Sequence, residues 1–393
     1  MTHLRSILLL MTLCVANILL ADEQKFHFTC SPYLQNVTPT EATIVWATDR
    51  DAVSWVETAP DDGTHFYATE RPKHFDTTLG KKNIGTLHHV TLRNLTPGTT
   101  YRYRIYSEEV TRNIERDTRY GALIATDVYR GKPLVFTTPG SGKKDVHFAV
   151  VNDIHQHADR YANLFHAVDS TKLDFMVLNG DMVNNMDLLS QAYDGFLNES
   201  SRLFATTIPF YMVRGNHETR GTQSQQYMKL FPTQTGTPYY MVRYGDVCML
   251  MLDAGEDKPD SDIEYSGLAA FDDYRTDQAA WLQTAVESDI FRTAPVRVVF
   301  IHVPPVGSSW HGLIEVREKF IPILDKAGID LMLSGHIHRH KYVPMEESGF
   351  SFPLLINSNR DILDVDIKNG NIAIDVIGED GTHKKHFDFH AHR

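Results

Sequence analysis

The chain has 393 residues, which is enough for two domains or one large one. Apolar residues make up 42% of it and charged residues 22%, the composition of a folded protein with a sizeable core. The formal net charge is −12, which argues against nucleic acid as the main partner, because phosphate backbones attract basic faces. A small anionic ester is not excluded, since bound metal ions would reverse the local field.

The first residues are typical of an export signal. Arg5 precedes an apolar run at 7–20, which ends at the small residue Ala21. This pattern predicts a secretory signal peptide over 1–21 and a mature protein in the periplasm or outside the cell. The run is short for a membrane span, so we expect no stable span after cleavage; an uncleaved anchor is the alternative.

Short strands with frequent turns predict a β-sandwich domain over 26–138. The predicted strands are rich in β-branched and aromatic residues and lie at 42–47, 54–58, 88–92 and 100–106. The segment L-T-P-G-T-T-Y at 95–101 resembles a corner of fibronectin type III domains, in which the tyrosine hydroxyl bonds to nearby backbone. We therefore expect a structural role for Tyr101 in a fibronectin type III-like domain.

After a Gly/Pro linker at 139–144, strands alternate with helices, which predicts an α/β domain over 145–380. The predicted strands are 146–151, 175–178, 210–213, 247–252, 296–301 and 331–333, and the predicted helices are 158–168, 188–204, 277–288 and 314–327. Strands at 354–357, 362–367 and 372–377 are expected to form a closing β-meander. The histidine-rich end, with His383, His386, His390 and His392, is expected to be solvated.

Side chains that bind metals follow five of the predicted strands. They lie in N-D-I-H at 152–155, N-G-D at 179–181, R-G-N-H-E at 214–218, His302, and S-G-H-I-H at 334–338. The carboxyl edge of an open α/β sheet is where such folds bind ligands. Mixed carboxylate, imidazole and amide donors suit Mn, Fe or Zn better than Ca. A single short motif is weak evidence, but five in order predict a metal site.

The ordered motifs D-x-H, G-D, G-N-H-E, H and G-H-x-H resemble those of the calcineurin-like metallophosphoesterases. With the preceding sandwich, the layout is similar to that of purple acid phosphatases. The resemblance implies a four-layer α/β/β/α domain behind the sandwich. Purple acid phosphatases carry D-x-G and G-D-x-x-Y, whose tyrosine binds ferric iron. Here His155 and Asn184 take the places of that glycine and tyrosine, which implies a non-purple site.

The resemblance also assigns roles to individual residues. It implies that a first divalent ion is held by Asp153, His155, Asp181 and His338, and a second by Asp181, Asn216, His302 and His336. His217 would protonate the leaving alkoxide or stabilise charge on the phosphoryl oxygens. Glu218 would orient His217 or a ligand, or be an ordinary carboxylate at a helix start. Asn216, Arg214 and His311 are expected to contact substrate. For Arg214 an ordinary ion pair is the alternative, and for His311 a solvated side chain on a packed loop.

The expected function is hydrolysis of small phosphoesters, in which a hydroxide bridging two metal ions attacks phosphorus in line. A phosphomonoesterase similar to acid phosphatases is the first expectation. A phosphodiesterase acting on nucleotides or phospholipid headgroups is the alternative. A zinc hydrolase of peptides is disfavoured, because the chain lacks H-E-x-x-H. A carbohydrate- or protein-binding module with a vestigial metal site is a further alternative, although the ligand set is complete.

Overall fold

The computed structural model describes residues 25–391. The predicted signal peptide and His392 lie outside the described residues. Within the described part of the chain, no helix is both long enough and apolar enough to cross a membrane.

The first domain is a β-sandwich of nine strands, as predicted. They are β1 Phe28–Gln35, β2 Glu41–Pro60, β3 Lys73–Phe75, β4 Thr77–Thr78, β5 Lys81–Lys82, β6 Gly85–Arg93, β7 Thr100–Ile114, β8 Asp117–Ala125 and β9 Leu134–Thr137. The hydroxyl of Tyr101 accepts a hydrogen bond from the backbone N–H of Thr96 at 2.8 Å, so the predicted tyrosine corner is confirmed. The buried aromatic core of the sandwich includes Trp46, Tyr103 and Phe136.

The two strands predicted at 42–47 and 54–58 are one strand, β2, so that part of the prediction is wrong. Its first half pairs with β1 and β6, and its second half pairs with β3 and β7. The β2–β6 register is irregular between Ala47 and Ala52. Such a bend lets a strand pass from one packed sheet to the other without a turn.

The second domain contains the remaining strands and helices. The strands are β10 Val146–Val151, β11 Phe175–Asn179, β12 Phe210–Val213, β13 Tyr240–Tyr244, β14 Val247–Leu252, β15 Val296–Ile301, β16 Leu331–Ser334, β17 Lys341–Val343, β18 Leu354–Ile356, β19 Asp361–Lys368, β20 Asn371–Gly378 and β21 His383–His390. The α-helices are α1 Ala158–His166, α2 Ser190–Ala192, α3 Asn198–Ser200, α4 Tyr227–Leu230, α5 Phe271–Glu287, α6 Asp289–Arg292, α7 His311–Lys319, α8 Ile321–Ala327 and α9 Met345–Ser348. Two π-helical turns, Tyr193–Leu197 and Ser201–Ala205, join α2 and α3 into one helical segment over 190–205. Single 3₁₀ turns occur at Ser170–Lys172, His217–Thr219, Ser224–Gln226 and Ile263–Tyr265.

Two six-stranded sheets pack face to face to form the centre of this domain. Their strand orders are β12-β11-β10-β19-β20-β21 and β13-β14-β15-β16-β18-β17. Strands β10 to β12 are parallel, as are β14, β15, β16 and β18. A buried apolar layer fills the space between the sheets. The helix α1 and the segment 190–205 cover one outer face, and helices α5 to α8 cover the other. The predicted four-layer α/β/β/α order is confirmed.

The end of the chain differs from the prediction. Strand β18 joins the second sheet beside β16, and the meander is formed by β19, β20 and β21. The histidine-rich end is therefore a strand that lies beyond residue 380. Its Phe387 and Phe389 pack against the inter-sheet core, while His386 and His390 are exposed. The predicted helix 314–327 is broken at Phe320, because Pro322 lacks the N–H that would continue the ladder.

The sandwich packs directly against the layer that covers the first sheet. The hydroxyl of Tyr33 donates to the carbonyl of Leu230 at 2.8 Å, and that of Tyr103 donates to the carbonyl of Thr206 at 2.8 Å. Tyr33 and Cys30 belong to the same buried cluster as α1 and the segment 190–205. The sandwich therefore contributes to one continuous core with the α/β domain.

The two cysteines in the described part of the chain, Cys30 and Cys248, are free and buried. Cys30 lies in the core behind the first sheet and Cys248 in the core behind the second. Burial raises the pKa of the Cys248 thiol to about 12, so it behaves as a small apolar side chain.

Candidate dinuclear metal centre

The carboxyl ends of parallel strands from both sheets meet at one edge of the domain. The predicted ligands follow these ends: Asp153 and His155 after β10, Asp181 after β11, Asn216 after β12, His302 after β15, and His336 and His338 after β16. The structure brings all seven side chains together at this edge, as expected for ligand sites of α/β sheets.

The backbone at this edge is strained. Five predicted ligands have left-handed φ angles: Asp153 54°, His155 49°, Asp181 54°, His336 73° and His338 55°. A non-glycine residue in this region costs about 1–3 kcal/mol and is tolerated where surrounding structure enforces it. Gly180 is the neighbour that permits the close packing, since a Cβ there would lie 2.5 Å from the His302 ring. Such clustering of strain is typical of a functional site.

Asp153, His155 and His338 form one side-chain cluster at this edge that could hold an ion. Their donor atoms all lie within 4.8 Å of one another. His338 Nε2 is 3.1 Å from Asp153 Oδ1, and the Nε2 atoms of His155 and His338 are 3.3 Å apart. These residues belong to the set predicted for the first ion.

Asp181, His302 and His336 form the second cluster. His302 Nε2 lies 2.9 Å from Asp181 Oδ2, while its Nδ1 donates to the carbonyl of Asn179 at 2.7 Å. That bond turns Nε2 toward the site, as is common for metal-binding histidines. Asn216 Oδ1 lies 3.1 Å from His336 Nδ1. These residues belong to the set predicted for the second ion.

The two clusters adjoin each other, and their charges favour a cation. Asp153 Oδ1 and His302 Nε2 are buried and lie 3.7 Å apart, so the two clusters meet at these atoms. Burial lowers the pKa of His302, but the carboxylates of Asp181 and Asp153 outweigh it and raise that pKa to about 10. Burial opposes ionisation of Asp153, yet His302 and His338 lower its pKa overall. Without metal, His302 therefore holds a proton between the carboxylates, and bound ions would displace that proton. The oxygen and nitrogen donors of the site fit two divalent first-row metals.

Glu218 shapes the loop that carries Asp181. Its Oε2 accepts the N–H groups of Asp181 and Gly215, each at 2.9 Å. Its Oε1 accepts those of Met182 at 2.7 Å and Val183 at 3.3 Å. Burial, followed by the charge of Asp181, raises the pKa of Glu218 to about 7. Of the alternatives left by the sequence, the structure supports orientation of a predicted ligand.

His217 lies beside the ligand clusters. Its backbone N–H donates to Asp181 Oδ1 at 3.0 Å, and its Nδ1 donates to the carbonyl of Asn184 at 2.8 Å. Its Nε2 is 3.9 Å from Asp181 Oδ2, and its ring lies edge-on to that of His155 at 4.7 Å between centroids. His217 thus lies beside the predicted ligands, and its catalytic role stays a prediction.

Two predicted substrate contacts are engaged elsewhere. Arg214 donates to Asp253 at 2.7 Å and lies between two tyrosine rings, which is the ion-pair alternative. His311 begins α7, where its Nε2 lies 2.8 Å from Asp272 Oδ1. Contact of either side chain with substrate stays a prediction.

The structure adds three residues that the sequence interpretation missed. Arg220 Nη1 is 3.3 Å from His217 Nε2, and the same guanidinium pairs with Glu256. Asp257 Oδ2 lies 3.8 Å from His336 Nε2. Glu256 and Asp257 follow β14, whose carboxyl end lies beside that of β15. Because ligands bind at the carboxyl ends of parallel strands, the position of these two residues after β14 is a signal in the sequence that could have identified them.

Comparison with known protein families agrees with this geometry. Residues 146–340 match the calcineurin-like phosphoesterase family, and residues 30–119 match the purple acid phosphatase N-terminal domain. The chain belongs to the calcineurin-like phosphoesterases, a family of phosphoric ester hydrolases that bind dinuclear metals. Its two domains have the layout of a purple acid phosphatase.

Several plant proteins are similar to this chain. Purple acid phosphatase 18 of Arabidopsis thaliana is 23% identical over 325 residues, covering 79% of this chain and 65% of the relative. Purple acid phosphatase 22 of the same plant is 26% identical over 278 residues, covering 65% and 54%. The matches thus span less than two thirds of either relative. A purple acid phosphatase from yellow lupin (Lupinus luteus) seeds shares the fold, with a TM-score of 0.66 at 15% identity over 91% of this chain and 73% of the lupin chain.

Proposed function

We propose that this chain is a metal-dependent phosphomonoesterase with two divalent ions, Mn, Fe or Zn, that acts outside the cytoplasm. The observation that carries the proposal is the pair of adjoining Asp/His clusters with Asp181 between them. The plant relatives are named as phosphatases, which favours phosphomonoesters as substrates of this chain. The proposed export rests on the sequence of residues 1–21.

In this proposal Asp153, His155, Asp181 and His338 would hold the first ion, and Asp181, Asn216, His302 and His336 would hold the second. When bound, the two ions would polarise the phosphoryl oxygens and supply a water of lowered pKa as nucleophile. Asp181, whose backbone is fixed by Glu218, would bridge them. The hydrogen bond from His302 to Asn179 fixes the ring tautomer that presents Nε2.

His217 is the proposed proton donor. The carbonyl of Asn184 can only accept, so the Nδ1 of His217 carries a proton in either charge state. Its Nε2 faces the clusters and can hold a second proton for the leaving oxygen. General acid catalysis of this kind typically contributes about 10²–10⁴-fold in rate.

The test is a substrate panel with the mature protein loaded with Mn, Fe or Zn. We expect hydrolysis of p-nitrophenyl phosphate, loss of activity on chelation, and recovery when metal returns. Faster hydrolysis of nucleotide or phospholipid diesters would favour the phosphodiesterase alternative. Inactivity on all esters with two ions bound would favour the binding module. Amino-terminal sequencing of the exported protein tests cleavage after residue 21, and an intact amino terminus would contradict it.

A further inference from the structure

Arg220 lies next to the proposed proton donor, on the side that faces the ligand clusters. It follows the 3₁₀ turn His217–Thr219 directly. Its Nη1 is 3.3 Å from His217 Nε2. Because the Nδ1 of His217 donates to Asn184, the Nε2 of the neutral ring has the lone pair that accepts from this guanidinium. An oxyanion that entered here would be met by N–H groups from both side chains.

Glu256 holds the guanidinium in this orientation. Arg220 Nε donates to Oε1 at 2.7 Å and Nη2 donates to Oε2 at 2.9 Å. The carboxylate is buried, and it also accepts from Thr219 Oγ1 at 3.0 Å and from the Tyr265 hydroxyl at 3.2 Å. A bidentate pair of this kind fixes the plane of the guanidinium. One edge of Arg220 is therefore anchored, and the Nη1 edge is pre-positioned toward His217.

The other cationic candidates are less available. Arg214 is held by Asp253 between tyrosine rings, and Arg160 donates to the carbonyls of Asp153 and Ile154 from behind their loop. Arg220 is about one third exposed, so a solute can reach it.

We propose that Arg220 binds a terminal phosphoryl oxygen of the substrate and thereby favours phosphomonoesters over phosphodiesters. The reasoning rests on the proposed function. A monoester has three terminal oxygens and up to two negative charges, so when two oxygens face the metal ions a third, charged one remains for the guanidinium. In a diester that third position is an uncharged ester oxygen. A hydrogen bond between charged partners in such a site corresponds to about 10- to 100-fold in affinity.

The experiment compares R220M and R220K with the control R202M, which removes an exposed arginine paired with Glu199 on the helical segment 190–205. The measured quantities are kcat/KM for p-nitrophenyl phosphate and for ethyl p-nitrophenyl phosphate, the Kd of inorganic phosphate by calorimetry, and the metal content. For R220M we expect the monoester value to fall and the phosphate Kd to rise, each about 10- to 100-fold, with the diester value changed less than about threefold. R220K should recover part of the loss, and R202M should match the wild type.

The double variant R220M/E256Q guards against misfolding, because it leaves no unpaired buried carboxylate beside the missing guanidinium. It should show the same loss of phosphate affinity with wild-type metal content. Equal losses for both esters, or an unchanged phosphate Kd, would overturn the role of Arg220. A wild-type protein that binds phosphate through Arg220 but hydrolyses neither ester would instead overturn the proposed function.

Discussion

The substitution Glu218→Gln tests how the loop of Asp181 is held. The carboxylate accepts four buried backbone N–H groups, two on each oxygen. The amide of glutamine keeps one oxygen and turns its NH₂ group toward the other pair, so two N–H groups lose their acceptor. Each buried donor left unsatisfied costs about 1–3 kcal/mol. The free energy of local opening of this loop should therefore decrease by about 2–6 kcal/mol. The lower figure corresponds to an increase of about thirtyfold in the equilibrium constant for opening.

The assay is amide hydrogen exchange of a peptide that spans residues 181–183, measured on metal-free protein, together with the metal content after dialysis. We expect exchange at these amides to accelerate by at least about thirtyfold and the two ions to be held less tightly. Glu347→Gln is the matched control, because that carboxylate is half-exposed in a surface pair with Lys341, which is worth at most about 1 kcal/mol. Wild-type exchange and full metal content in Glu218→Gln would refute the reasoning.

Three further predictions concern single residues. Asp181→Asn removes the charge between the clusters, so metal content should fall below two ions per chain by elemental analysis; full occupancy would contradict its role as bridge. His217→Ala should lower kcat about 10²–10⁴-fold with unchanged metal content, and an unchanged kcat would exclude it as proton donor. In the sandwich, burial lowers the pKa of His88 from 6.5 to about 3, so below pH 6.5 the unfolded chain takes up a proton that the folded chain does not. The free energy of unfolding should therefore decrease as the pH is lowered, by about 2 kcal/mol from this group at pH 5. Urea unfolding at pH 7 and pH 5 should give a smaller stability difference between the two pH values in His88→Gln than in the wild type. An equal difference in both proteins would contradict this.

The sequence predicts the elements that carry strong local patterns. The buried strands β12 and β14 are continuous apolar runs, and β10 and β15 are apolar apart from His147 and Arg297; the predicted bounds of all four match the structure. The metal-binding motifs follow such strands directly, so the sheet edge brings them together without further information. The sequence pattern divides β2 in two, because polar residues lie at its bend. It does not predict β21, because the histidines and lysines of that strand obscure the alternation of Phe387 and Phe389.

The contacts around the ligands could not be predicted in the same way. Glu218 is in a recognisable motif, but its four N–H partners come from two separate loops. The pairing of Arg220 with Glu256 joins residues 36 positions apart, and no local pattern encodes it. The sequence favours Arg214 as a substrate contact, because it lies directly before the G-N-H-E motif. In the structure Arg214 instead forms a buried ion pair with Asp253.

The backbone at His155, where this sequence departs from the purple acid phosphatase motif, is left-handed. Its φ of 49° is a conformation that glycine, which those enzymes carry in D-x-G, adopts without strain. Asn184, at the position of their tyrosine, donates to the side chain of Gln156 at 3.0 Å, so positions 155 and 184 are close in space. The two positions at which this sequence departs from the purple acid phosphatase motifs, 155 and 184, therefore lie side by side at one site.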